Sequence, residues 1–287
     1  MLFTRISCVD FSFPGTFDSA CRAVRGLDLE YVDVSVRRRF PLTDPDDVLR
    51  DPRDVAAARR GSLKRHQLEA ADVFCLSGEP IPPNRDDDVF REHERAVFES
   101  VCLLAREIGA PGVTVLPGSC EGGEKRQDAW DRSVAELRWR VDRAEAHQLI
   151  LSVEPHVGSV VDTPARVSAL LDEVPGLRLT LDYSHFVYQG ISPTDVHPLL
   201  AHARVVHVRQ AAGGLIQTAV GSGSIDFLDI VNAARANGFG GTYTLEYVTK
   251  PVLPSEAVDV VVESKKMRDV VSAALSIWSD LRGPVHG

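Results

Sequence analysis

Residues 178–210 read RLTLDYSHFVYQGISPTDVHPLLAHARVVHVRQ. Two short runs rich in apolar and β-branched residues, 178–181 and 204–208, bracket this stretch and have the length and composition of buried strands. The first is followed at once by Asp182, with His185 three residues on; the second carries His207 near its end, with Arg209 two residues beyond. In a parallel barrel, side chains that do chemistry project from the C-terminal ends of strands. Two such ends, each with a polar, metal-suited residue, make it worth asking what every other strand ends in.

Working outward, similar runs fall at 3–9 (FTRISCV), 29–34 (LEYVDV), 73–77 (VFCLS), 112–116 (GVTVL), 149–153 (LILSV) and 242–245 (TYTL). Between them lie helix-patterned stretches, clearest at 89–108, 127–147 and 226–236, with a last helix at 255–279. In the first of these Val97, Val101, Leu104 and Ile108 repeat at three- and four-residue spacing. Gly109 and Gly238 stand where helices stop, and Asp226 and Thr163 where they start. Residues 37–69, polar and interrupted by proline, read as a long loop followed by helix two. Strands alternating with helices, eight times, predict one (β/α)8 TIM barrel spanning 1–287. An open doubly wound sheet is disfavoured, because no G-x-G-x-x-G follows the first strand and no GxxxxGK[ST] occurs.

Composition narrows the function. The chain has 287 residues, 44% hydrophobic and 25% charged, enough for one large core. A net charge of -9 gives no broad field for a phosphate backbone, so nucleic acid is not an expected partner. Five cysteines without a C-x-x-C pair suit a reducing cytoplasm. The start, MLFTRISCVDFSF, lacks the layout of a signal peptide, and no run of 18 apolar residues occurs, so a soluble cytoplasmic protein free of the membrane is expected. Trp130 and Trp139, nine apart in a charged helical segment, belong on the barrel exterior.

The last four strand ends carry the chemistry. Strand five leads into Glu154, strand six into Asp182, strand seven holds His207 and strand eight leads into Glu246. Three carboxylates and an imidazole suit one hard-to-borderline divalent ion such as Mn²⁺, Co²⁺, Mg²⁺ or Zn²⁺, and the lack of thiolates argues against a purely structural zinc. Any one of the four is explained as readily by an ion pair or a capped loop. The set is harder to explain so, because burying uncompensated carboxylates is costly.

Glu-Pro at 154–155, Asp-x-x-His at 182–185, His-x-Arg at 207–209 and GSGSIDF at 221–227 ahead of Glu246 resemble the sugar phosphate isomerase/epimerase family of xylose-isomerase-like barrels, in the superfamily of the apurinic-site endonucleases. The resemblance is strongest from 97 to 247. It implies a divalent-metal-dependent isomerase, either an epimerase or an aldose–ketose isomerase. Glu154 and Glu246 would be metal-linked and catalytic, facing opposite sides of the reacting carbon, one removing a proton and the other returning it. A metal that polarises a carbonyl and its neighbouring hydroxyl stabilises the enediolate, which lets an ordinary carboxylate act as base. His185, on the loop after strand six, would hydrogen-bond a substrate oxygen. Arg209, on the same side of strand seven as His207, either binds substrate or pairs with a carboxylate. His156, Gln210 and Gln217 are further substrate contacts on the rim. The partner is then a small carbohydrate or cyclitol-like molecule, with a homo-oligomer left open.

Two departures matter. Tagatose-epimerase-like members carry arginine six residues after the strand-seven histidine, where this chain has Gly213. The endonucleases use extra histidines after strands three and four, where this chain reads CLSGEP and VLPGSC. Two alternatives remain in view: a dehydratase or lyase of the inosose or dehydroshikimate type on the same scaffold, and a sugar-binding barrel without catalysis.

Overall fold

A computed structural model describes residues 4–38, 42–78 and 83–280. Its strands are β1 (Arg5–Val9), β2 (Tyr31–Arg37), β3 (Glu69–Leu76), β4 (Gly112–Val115), β5 (Ile150–Val153), β6 (Arg178–Asp182), β7 (Ala203–Val208) and β8 (Thr242–Leu245). Each pairs in parallel with its sequence neighbours, and β8 closes on β1 from Arg5↔Thr242 to Cys8↔Leu245. The helices are α1 (Phe17–Gly26), α2 (Pro45–Arg50), α3 (Pro52–His66), α4 (Asp88–Ile108), α5 (Arg126–Ala146), α6 (Pro164–Glu173), α7 (Tyr183–Tyr188), α8 (Pro193–Val196), α9 (Phe227–Ala236) and α10 (Val260–Asp280). The architecture is the expected closed (β/α)8 TIM barrel.

Some element boundaries differ from those expected, for identifiable reasons. β2 and β3 are longer than expected, because their pairing extends from Tyr31↔Glu69 to Arg37↔Leu76, through charged residues that masked the strand pattern. The stretch 37–69 holds two helices rather than a loop and one helix. Pro45 and Pro52 are first-turn residues, and Asp44 and Asp51 cap the two helices through Asp46 N and Asp54 N. Proline there begins a helix instead of breaking one. The last helix starts at Val260 rather than 255, where Asp259 Oδ1 accepts from Val261 N and Val262 N. Asp226 caps α9 as expected, and Gly109 ends α4 with φ +79°, a conformation glycine reaches without Cβ strain. Thr163 is the N-cap residue of α6 without a side-chain capping bond. Residue 3, the expected start of strand one, and residues 39–41 lie outside the described residues.

Strand alternation gives the barrel two faces. Outward residues such as Val34, Val113, Leu151, Leu181 and Val206 pack with the helices into the main hydrophobic core. The inward layer below the rim is polar: Ser7 donates to Asp33 Oδ1 at 2.6 Å, Thr244 donates to Asp33 Oδ2 at 3.1 Å, and Thr114 meets Thr180 at 2.7 Å. Across the barrel, Arg204 Nη2 reaches Asp72 Oδ1 at 2.9 Å and its Nε reaches Ser152 Oγ at 2.8 Å. Two register shifts make this possible. The β2–β3 pairing passes from Val32↔Ala70 to Asp33↔Asp72, and the β6–β7 pairing from Leu179↔Ala203 to Thr180↔Val205, skipping Arg204. A bulge re-aims a side chain, and here it turns Arg204 into the barrel. Gly112 leaves the room for it, since a Cβ there would stand 2.8 Å from Arg204 Cζ. Burial and the facing Asp72 carboxylate raise the proton affinity of Asp33 to a pKa of about 6; burial also raises Asp72, against the pull of Arg204.

Candidate active site

Period-two alternation carries each strand from the polar layer to the mouth: Ser152 to Glu154, Thr180 to Asp182, Val205 to His207 and Arg209, Thr244 to Glu246. All four expected ligands are buried, with Glu154 at 2%, Asp182 at 0%, His207 at 2% and Glu246 at 6% exposure. One ligand atom from each lies within 4.8 Å of the others. A single divalent ion about 2.0–2.4 Å from each donor spans that spacing.

His207 Nδ1 lies 2.9 Å from Glu154 Oε1 and 2.9 Å from Glu246 Oε2. One ring proton serves one carboxylate, and the hydrogen bond runs to Glu154. Glu246 Oε2 is buried without a hydrogen-bond donor among the described residues. A buried carboxylate oxygen in that state is costly, and a cation removes the cost. The donor set therefore fits a divalent metal by charge, by element and by an orphaned oxygen.

Arg209 organises the opposite side. Its Nη2 lies 2.5 Å from Asp182 Oδ2 and 3.8 Å from Glu246 Oε2, and its Nε donates to Ser184 Oγ at 2.9 Å. Of the two roles open to it, carboxylate pairing is the one the contacts display. Burial pushes Glu246 toward the neutral form, but Arg209 and His207 outweigh it and hold the carboxylate at a pKa of about 2. Glu154 goes the other way: burial raises it, and the hydrogen bond from His207 only partly offsets the rise. Burial lowers His207, yet Glu246 and Glu154 carry it well above the ordinary imidazole value.

His185 stands on α7 and not on a loop, because Asp182 Oδ1 accepts from Ser184 N and starts a short helix directly after β6. Its Nε2 is 3.5 Å from Asp182 Oδ2 and 3.4 Å from Arg209 Nη2. Burial, with the charges of His156 and Arg209, holds His185 well below the usual imidazole range, so it is a neutral ring. His156 stacks on it with ring centroids 3.9 Å apart. Gln210 and Gln217 are buried and committed to the main chain. Gln210 donates to Ile225 O at 2.7 Å and accepts from Ile225 N at 3.2 Å, fastening the GSGSIDF segment to β7. Gln217 donates to Val248 O at 3.0 Å and accepts from Val248 N at 2.8 Å, tying that loop to the one after β8.

The other half of the mouth is apolar, a feature the sequence reading missed. Val9, Phe11, Leu42, Phe74 and Leu76 form one cluster with Leu116 packed on it, and the Phe74 ring lies 5.5 Å from His207. Counting inward positions from Asp72 to Phe74 and Leu76 would have found this wall. Trp130 and Trp139 are partly buried against the core, Trp139 beside Phe98 at 6.0 Å. No helix among the described residues is long and apolar enough to cross a membrane.

A family model described as xylose isomerase-like TIM barrel matches residues 21–268. The 2-epi-5-epi-valiolone 7-phosphate 2-epimerase of Actinoplanes sp. is 30% identical over 151 residues, 49% of this chain and 52% of that protein, so the match spans about half of the relative's length. SgbU of Escherichia coli K12, named as an L-ribulose-5-phosphate 3-epimerase, is 22% identical over 245 residues, 79% of this chain and 82% of that one. A solved L-ribulose 3-epimerase superposes with TM-score 0.72 at 19% identity, covering 99% of this chain and 100% of that one, a likeness of fold.

Proposed function

The chain belongs to the xylose isomerase-like TIM barrel family, and we propose that within it the protein is a divalent-metal-dependent epimerase of a small carbohydrate or cyclitol-like ketone. One observation carries this reading: Glu154 and Glu246, on strands separated by β6 and β7, converge at 2.9 Å on the same His207 nitrogen inside a buried cluster. Two carboxylates brought to one reacting centre from different strands can take a proton from one face and return it to the other. The two relatives matched in sequence are named as epimerases, which supports the same class.

Glu154, Asp182, His207 and Glu246 would hold the metal, which supplies Lewis-acid polarisation of the substrate carbonyl. The protein's own groups do the rest. Arg209 fixes Asp182 and neutralises part of the acidic cluster. The neutral His185 ring would donate to or accept from a substrate oxygen, and the apolar wall whose Phe74 ring lies 5.5 Å from His207 would keep water from that side of the site. Proton transfer then falls to Glu154 and Glu246, without a covalent intermediate.

The test is product analysis by NMR after incubating the metal-loaded protein with a panel of ketoses and cyclitol ketones. Appearance of an epimer at the carbon next to the carbonyl supports the proposal. An unsaturated product formed with loss of water would replace it by a dehydratase, since both begin with the same proton abstraction.

A further inference from the structure

A cavity of about 200 Å³ opens beside the metal-suited cluster between the ends of β3 and β4 and helices α4 and α5. His156 lines it and also stacks on His185, whose Nε2 lies 3.5 Å from Asp182, so the cavity and the cluster share a wall. Most of its lining is apolar or main chain, including Leu76, Val115, Leu116 and Gly118. Two charged side chains break that pattern. Glu94 of α4 is 1% exposed and Arg140 of α5 is 3% exposed, and both line the cavity.

Each has one polar atom hydrogen-bonded and one without a hydrogen-bond partner among the described residues. Glu94 Oε2 accepts from Ser77 Oγ at 2.6 Å, whereas Glu94 Oε1 has no hydrogen-bond partner among the described residues and forms a long ion pair with Arg38 Nη2 at 3.8 Å. Arg140 Nε donates to Glu136 Oε1 at 3.2 Å, and its guanidinium lies over the Phe98 ring at 4.9 Å, whereas Nη2 has no hydrogen-bond partner among the described residues. Glu136 is already shared with Arg95 at 2.9 Å, so it does not call for that second nitrogen. Leaving a buried charged donor or acceptor unpaired costs on the order of 1–3 kcal/mol or more. One free acceptor and one free donor on a single cavity are complementary to a group that both donates and accepts.

We propose that this cavity is a subsite for the remote end of the substrate, taking an uncharged hydroxyl-bearing group that donates to Glu94 Oε1 and accepts from Arg140 Nη2. The sign of the charges selects the class. A phosphate would satisfy Arg140 but set its negative charge against a buried carboxylate, and an ammonium would do the reverse against the guanidinium. A hydroxyl meets both without repulsion. The two relatives matched in sequence are named for phosphorylated substrates, so the subsite separates this chain from them in specificity.

The inference rests on the carbohydrate reading above, and its test reads binding separately from turnover. D-allulose, D-tagatose, L-ribulose and L-ribulose 5-phosphate are titrated calorimetrically into the Mn²⁺-loaded wild type, Glu94→Gln and Arg140→Lys, with KM and kcat measured for each ligand that reacts. The expected result is an unphosphorylated ketose bound at least tenfold more tightly than the phosphate. Glu94→Gln, which faces the cavity with an N–H in place of an acceptor, weakens that ketose at least tenfold, with kcat changed by no more than about threefold. Arg140→Lys weakens it in the same sense. Preference of the wild type for the phosphate, failure of every ketose to bind it, or unchanged affinity in both folded variants overturns the subsite. If one variant does not fold, the other and the wild-type preference decide. Tight ketose binding without any epimer supports the subsite while refuting the epimerase.

Discussion

His207 Nδ1 and Glu154 Oε1 lie 2.9 Å apart at the mouth of the barrel, although 53 residues separate them in the chain. Strands β5 and β7 are not neighbours; β6 runs between them and contributes Asp182 to the same cluster. Only closure of the sheet brings side chains from β5 through β8 onto one point. The cluster is therefore a property of the closed barrel rather than of any local motif.

Metal removal is the first expected effect. A chelator abolishes activity and lowers the melting temperature, because three buried carboxylates lose a shared cation. Mn²⁺, Co²⁺ or Mg²⁺ restores both. Differential scanning fluorimetry alongside metal analysis checks this, and full activity in a demonstrably metal-free sample would contradict it.

Glu154→Gln and Glu246→Gln each lower kcat by about a thousandfold or more while the circular dichroism spectrum stays that of the wild type. Each change removes a charge from the mouth without emptying core volume. Either variant turning over at the wild-type rate would refute the paired-carboxylate mechanism.

The Asp72–Arg204 pair underlies the site by bracing the barrel interior. Arg204→Leu leaves Asp72 buried without its cation, which destabilises the fold by about 3–5 kcal/mol. Asp72→Asn combined with Arg204→Leu recovers a large part of that loss, because the stranded charge is gone. Urea unfolding of the two variants measures both numbers.

Asp10 gives a pH dependence separate from the metal-suited cluster. Burial, and to a smaller degree Asp33, raise its pKa to about 7 against the hydrogen bonds from Ser35 and the charge of Arg59. The folded state therefore binds a proton that the unfolded chain releases near pH 3.8, so the stability from this group is present below about pH 4 and is lost as the pH rises to about 7. The full change corresponds to at most about 4 kcal/mol. Asp10→Asn flattens the fall in unfolding free energy across that window relative to wild type, and parallel curves for the two proteins would refute the assignment.

Much of this was legible in the sequence because strand ends punctuate the chain. The apolar runs before Glu154, Asp182, His207 and Glu246 mark both the element and the direction in which the next side chain points. The legible part failed where polar residues are buried. Asp72 lies inside the barrel, so the first half of β3, which contains it, looked like polar surface. Pro45 and Pro52 were read as breaks because a first-turn proline and an interrupting one look the same without the capping aspartates in view. The Glu94–Arg140 cavity is formed by residues from distant segments, and no spacing rule joins them. Gln210 and Gln217 show the converse: a rim position suggested substrate, but their amides are taken up by Ile225 and Val248.

The most direct test of the central claim follows solvent deuterium into the carbon next to the carbonyl of a ketose, by NMR, with metal-loaded wild type, Glu154→Gln and Glu246→Gln side by side. The account predicts deuterium incorporation with epimer formation in the wild type and at least a thousandfold slower epimerisation in both variants. Metal-loaded wild type that binds ketoses yet exchanges no proton would contradict it.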